Sequence, residues 1–162
     1  MRRLFTTLLL LVLCCGALTG CSKEEALDLY NAVIGAVGDL PLTDDASLQG
    51  VRAFGEDHYT GTYKASYAHF SRREILFGGI CVDREAGSEI AVSCTLTVED
   101  GAAQVFWQSG NEQAATLIEA GGTYFSTLTL PKAGNYIGIE CFDFTGSIDL
   151  SIESKPPAKP VA

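Results

Sequence analysis

The chain has 162 residues, of which 47% are hydrophobic and 19% are charged. This balance favours one globular domain and excludes collagen-like and wholly disordered proteins. Twenty acidic residues against eleven basic residues give a formal net charge of −9, and because nucleic-acid binding depends on cationic contacts with phosphates, we expect no nucleic-acid partner.

The N-terminus has the pattern of a secretory signal. Arg2 and Arg3 supply positive charge, and the apolar run that follows them reaches only to Leu18. A run of this length is too short to cross about 30 Å of hydrocarbon as a transmembrane helix. We therefore predict a signal peptide over residues 1–20.

The signal peptide ends in the sequence Leu18-Thr19-Gly20-Cys21, which resembles the lipobox of bacterial lipoproteins. The resemblance implies that Cys21 receives a thioether-linked diacylglycerol and becomes the mature N-terminus. It also implies that the protein is lipid-anchored at the extracytoplasmic face of the cell membrane, where two or three acyl chains hold it stably. The alternative is an ordinary secretory signal, in which Cys21 is a plain thiol.

An amphipathic helix is predicted directly after the anchor, so that residues 21–40 comprise the lipidated cysteine and this helix. Ser22 and Glu25 have the spacing of a capping box, and Gly38 with Pro41 ends the pattern. Apolar residues recur every three or four positions and form one stripe, Leu27, Tyr30, Ile34 and Val37. Two alternatives are open for the stripe. It packs on the chain's own domain, or it lies on the membrane or on a partner. Residues 41–57 have the composition of a linker.

From residue 58 to residue 153 the hydrophobic period changes to two, which predicts an all-β domain. Seven or eight short strands are predicted from the alternation of apolar and polar residues in the runs 59–70, 74–82, 88–99, 103–107, 122–130, 135–144 and 147–153. Turn signals such as Asp100-Gly101 and Thr145-Gly146 separate the runs. We predict an antiparallel β-sandwich, jelly-roll-like or immunoglobulin-like, with a Pro-rich disordered tail over 154–162.

The cysteines of the domain bear on the pairing of two predicted strands across Gly87-Ser88. A two-residue turn there would pair Cys81 with Cys94 but would set acidic residues opposite apolar ones. The register that keeps one apolar face pairs Ile80 with Val92 and puts the two cysteines on opposite faces. We favour the apolar register and expect no bridge between Cys81 and Cys94.

Aromatic residues are the candidate ligand-binding residues of the domain. Tyr59, Tyr63 and Tyr67 recur every four positions, which puts all three on one face of a strand. Such a row could stack on sugar rings, as could Trp107. Alternatively the tyrosines line the core, because the other face of their strand is the more polar one, and Trp107 is a core or edge anchor.

The sequence gives little support for a catalytic or metal-binding site. The histidines, His58 and His69, accompany no hydrolase or metalloprotease motif, and Cys81, Cys94 and Cys141 lack the spacing of a zinc site. Acidic residues occur at turns without the D-x-D-x-D loop that calcium sites use. We therefore expect no enzyme, no metal and no cofactor.

The closing part of the domain, Gly134–Ile139 followed by Thr145–Ile148, resembles the last hairpin of jelly-roll carbohydrate-binding and pre-peptidase-type modules. The resemblance implies a binding module on a bacterial surface lipoprotein and assigns no site residues. We expect a glycan or another envelope component as ligand. The alternative is a structural accessory subunit that docks a protein partner in the cell envelope.

Overall fold

The computed structural model describes residues 40–80 and 84–155. The signal peptide, Cys21, the amphipathic helix up to residue 39, Cys81 and the tail from residue 156 lie outside the described residues. One short 3-10 turn and seven strands occur in chain order: Asp45–Ser47, then β1 Val51–Phe54, β2 Gly61–Phe70, β3 Arg73–Ile80, β4 Glu89–Ser109, β5 Ala115–Glu119, β6 Gly122–Thr129 and β7 Gly134–Ser154. No helix in these ranges is long and apolar enough to span a membrane.

The seven strands form one antiparallel sheet that is built around β4 and β7, each 21 residues long. These two strands pair with each other along their whole length, from Ile90 opposite Ser154 to Ser109 opposite Asn135. β6 pairs with the first half of β4, β2 pairs with the second half of β7, and β1 pairs with the other edge of β2. We call this part of the sheet the five-stranded half. β5 pairs with the second half of β4, and β3 pairs with the first half of β7. We call this part of the sheet the four-stranded half.

The two halves meet where the long strands are irregular. The pairing of β4 with β7 shifts register on both sides of Asp100, which lies opposite Thr145. Gly101 adopts a positive φ of 71° there, as β-bulges often require. The prediction of hairpin turns at Asp100-Gly101 and Thr145-Gly146 is therefore wrong. Asp100-Gly101 on β4 and Thr145-Gly146 on β7 lie opposite each other. The two strands pair again on both sides of this point, so each strand continues through it.

The same continuity affects the run that resembles a closing hairpin. Residues 134–139 and 145–148 lie on the single strand β7 and do not form two arms joined by a turn.

Both halves of the sheet contribute to one hydrophobic core. Ile90, Val92, Cys94 and Leu96 are buried and alternate with more exposed residues, as the sequence predicts. The core also contains Tyr63, Leu76, Phe77, Val105, Ile139, Phe144, Ile148, Leu150 and Ile152. A second, smaller cluster of Ile75, Phe106 and Tyr136 is covered by Leu40, Leu42 and Ala114. The prediction of an antiparallel all-β fold is confirmed for the described residues.

The predicted pairing across Gly87-Ser88 is wrong in both registers. Val92 pairs with Ser126 of β6 on one side and with Ile152 of β7 on the other. A strand has only two edges, so none is left at this point for β3, whose Ile80 pairs with Gly134 instead. Two further strands were not anticipated, since β1 lies inside the predicted linker 41–57 and β5 lies between two predicted runs.

Candidate functional site

The predicted tyrosine row lies in the core. Tyr63 and Tyr67 of β2 are 0% and 4% exposed, and Tyr59 is also buried, whereas the side chains on the opposite face of β2 are exposed. Trp107 is half-buried and packs against the same core. The structure therefore does not present these four residues as an exposed stacking surface. The polar opposite face of β2 was the sequence signal that favoured the core alternative.

Two of these tyrosines instead bind a buried carboxylate that the sequence analysis did not single out. Glu74 of β3 is 1% exposed, and its Oε2 accepts hydrogen bonds from Tyr63 Oη at 2.9 Å and Tyr67 Oη at 2.8 Å. Its Oε1 accepts a third bond from the backbone N–H of Gln49 at 2.9 Å. Tyr63 Oη in turn accepts the N–H of Gly50 at 3.1 Å. The cluster fastens residues 49–50 to strands β2 and β3.

The electrostatics of this cluster keep its donors protonated. Burial raises the pKa of the Tyr63 and Tyr67 hydroxyls well above their usual range, and the neighbouring Glu74 carboxylate raises both further. Since all three side chains are shielded from solvent, the cluster satisfies a buried polar group and stabilises the fold. It offers no atom to a substrate.

The two described cysteines are also structural. Cys94 and Cys141 are free, buried thiols. Burial raises the pKa of each to about 12, with Asp149 adding to the effect at Cys94 and Glu74 and Glu140 at Cys141. The thiolate is the nucleophilic form, so neither residue is activated at neutral pH.

The described histidines lie apart from each other. His69 is exposed and contacts Asp143 at 3.1 Å, and both residues have positive φ at irregular points of the sheet. His58 contacts Phe54 with the rings tilted and their centroids 4.9 Å apart. Within residues 40–80 and 84–155, no group of three or more His, Cys, Asp or Glu residues is placed to hold a metal ion.

An open groove lies on the outer face of the four-stranded half, next to the irregular point of the long strands. Its volume is about 620 Å³, and β4, β5 and β7 contribute its lining, including Ala102, Gln104, Glu119, Glu140, Cys141 and Phe142. We refer to it as the Phe142 groove.

The Phe142 ring is the apolar feature of this groove and is 76% exposed. Its cross-strand partner on β4 is Ala102, whose methyl group is too small to cover the ring. On its other side, Ser71 and Arg72 of the β2–β3 connection accept hydrogen bonds from the backbone of β7 on either side of Phe142, but this connection does not cover the ring. The ring is therefore left open to solvent.

Polar side chains form a row beside the ring. Gln104 pairs with Glu140 of β7 on one side and with Glu119 of β5 on the other, so the three side chains share one face. Gln104 Nε2 donates to Glu140 Oε2 at 2.9 Å, and Gln104 Oε1 accepts from Thr116 Oγ1 at 3.0 Å. These bonds hold the central amide in a fixed orientation.

No protein-family model matches the chain, and no curated protein matches it either. The chemistry of the Phe142 groove therefore carries the functional interpretation.

Sequence reasoning missed the groove for a physical reason. Phe142 alternates with neighbouring residues of β7, but alternation alone does not reveal which neighbours cover an outward side chain. Glu119 belongs to β5, which was not predicted. The remaining large exposed apolar residues lie on other strands, Val51 and Phe54 on β1, Ile80 on β3 and Phe125 on β6.

Proposed function

We propose that the protein is a lipid-anchored extracytoplasmic binding module whose ligand site is the Phe142 groove, and that the ligand is a carbohydrate of the cell envelope. The observation that carries the proposal is the exposed Phe142 ring beside the polar row of Glu140, Gln104 and Glu119.

The groove has the chemistry that a sugar requires. An aromatic ring can cover the apolar face of a pyranose, while carboxylates and an amide bond its hydroxyl groups. The volume of about 620 Å³ lies within the range of roughly 300–1,000 Å³ that small-ligand sites occupy. We infer binding without catalysis, since the described histidines and thiols form no nucleophile and base pair.

The anchoring part of the proposal rests on the N-terminal sequence. In this proposal Cys21 carries the lipid and the helix predicted within residues 21–40 leads to the domain; residues 1–39 lie outside the described residues. We further infer that the two halves of the sheet pack as the layers of a sandwich, which is supported by the larger hydrophobic cluster, to which both halves contribute.

A second candidate is an accessory subunit that docks a protein partner, and one strand favours it. Among the described strands β6 pairs only with β4, so one of its edges is unpaired. Phe125 on the same strand is 75% exposed. An extended segment of another protein could add to such an edge.

Two matched variants test the first candidate. The full-length protein in detergent is assayed against envelope polysaccharides and neutral oligosaccharides, as wild type, Phe142→Ala and Phe125→Ala. The two rings are exposed to the same extent but lie on different halves of the sheet. Loss of the Phe142 ring is expected to weaken binding about tenfold, as the removal of an aromatic contact of roughly 1.4 kcal/mol does.

The Phe125→Ala variant is expected to bind like the wild type. If Phe142→Ala binds glycans as tightly as the wild type does, the groove is not the site. If only Phe125→Ala loses a protein partner captured from envelope extracts, the accessory-subunit candidate gains support.

A further inference from the structure

The charge of the Phe142 groove is unbalanced. Its lining contains Glu119 and Glu140 but no Lys, Arg or His. Two arginines lie next to the lining: Arg73 is the cross-strand partner of Glu140 on β3, and Arg72 accepts the Cys141 N–H while its guanidinium lies over Phe70. The Arg73 guanidinium lies over the Phe106 ring at 4.0 Å and donates to Gln108 at 3.1 Å, and both of these partners lie outside the groove lining.

The hydrogen-bonding capacity of the groove is also one-sided. Gln104 is the main side-chain donor in the lining, and it donates to Glu140 while its carbonyl oxygen accepts from Thr116. The two carboxylates are acceptors only, and one oxygen of Glu140 and both oxygens of Glu119 remain open to a ligand among the described residues. A ligand that donates hydrogen bonds therefore fits better than one that accepts them.

From these observations we infer that the ligand carries a free amino group, as an N-deacetylated hexosamine does; this inference rests on the proposed function. An ammonium group donates three hydrogen bonds, pairs with carboxylates and is attracted to an aromatic face. An N-acetylated sugar brings no charge to the carboxylates, and an acidic sugar is repelled by them. The groove thus selects amino sugars among envelope glycans.

Binding to two oligomers of equal length provides the test. The full-length protein in detergent is titrated at about pH 6 with a tetramer of glucosamine and a tetramer of N-acetylglucosamine, so that the free amino groups of the first tetramer are charged. The glucosamine tetramer is expected to bind at least about tenfold more tightly, and high salt is expected to reduce this preference.

Charge-neutralising variants test whether the two carboxylates cause the preference for the glucosamine tetramer. Glu119→Gln and Glu140→Gln keep the size of the side chain and are expected to abolish the preference while the weaker binding of the acetylated tetramer remains. Glu153→Gln, an exposed glutamate of β7 outside the groove lining, is the control and is expected to keep the preference.

Three results would overturn the inference. Equal, Phe142-dependent binding of both tetramers overturns it and leaves the proposed function intact. Binding of a lysine peptide of matched charge as tightly as the glucosamine tetramer shows that the groove recognises cations of proteins rather than sugars. Absence of Phe142-dependent binding to any glycan overturns both the inference and the proposed function.

Discussion

Glu74 is a carboxylate that is almost fully buried, and its position depends on three donors. Burial of a charged or polar group without partners costs several kcal/mol, whereas hydrogen bonds to a charged group each contribute about 1.5–3 kcal/mol. Tyr63 and Tyr67 supply two of the three bonds, and their spacing of four residues on β2 brings both hydroxyls to one side of the core. The spacing that suggested a sugar platform thus serves an internal carboxylate.

Removal of either hydroxyl tests this role. Tyr67→Phe is expected to lower the free energy of unfolding by about 1.5–3 kcal/mol, because Glu74 loses a donor. Tyr63→Phe is expected to cost more, since the Gly50 N–H also loses its acceptor. Chemical denaturation measures both. Tyr124→Phe is the control, since this half-buried residue makes no hydrogen bond through its hydroxyl to the described residues, and equal effects in all three variants would contradict the interpretation.

At the scale of elements, Arg52 helps to hold the segment before β1 on the sheet. The side chain of Arg52 is 4% exposed and forms an ion pair with Asp45 of the 3-10 turn. It also donates to the carbonyl oxygens of Thr43 at 2.8 Å and Leu76 of β3 at 2.9 Å. These bonds join β1, the turn and β3, which explains why a segment with the composition of a linker is ordered against the sheet.

The long strands depend on glycine at their irregular point. A Cβ atom at residue 101 would lie 2.1 Å from the carbonyl oxygen of Asp143, and the positive φ adds backbone strain. Gly101→Ala is therefore expected to destabilise the fold by well over about 1 kcal/mol, the usual cost of the left-handed conformation alone. Thermal and chemical unfolding measure the loss.

A second glycine separates the steric part of the expected destabilisation from the conformational part. Gly110 has a similar positive φ of 53°, but a Cβ atom there would meet only Ala133 at an ordinary 3.6 Å. Gly110→Ala is expected to cost only the conformational strain. If the two alanine variants unfold alike, the close approach to Asp143 does not constrain β4.

At the scale of the whole molecule, charge and anchoring act separately. A protein with a net charge of −9 gains no attraction from anionic lipids. The proposed membrane attachment would therefore depend on acyl chains, which contribute about 0.8 kcal/mol per buried methylene.

The proposed lipid anchor is tested by substitution of Cys21. The wild type is expected in membrane and detergent fractions, and Cys21→Ala is expected as a soluble or uncleaved form. Cys15→Ala, within the predicted signal peptide, is the control and is expected to keep the anchor. A wholly soluble wild type would disprove the lipoprotein interpretation.

The sequence by itself determined the local properties of the domain. Alternation in β4 identified Ile90, Val92, Cys94 and Leu96 as buried, because inward and outward directions follow from the geometry of a single strand. The same reasoning located most strands and the antiparallel class, since short runs and turn residues are local signals.

Only the tertiary structure decided the pairing of the strands and the exposure of their side chains. Asp100-Gly101 has the composition of a turn, but it became an irregular point of a continuous strand because β7 pairs on both sides of it. Glu74 is buried and Phe142 is exposed, against the usual preference of either residue type. Burial depends on which distant strands arrive beside a side chain, and no local pattern encodes those neighbours.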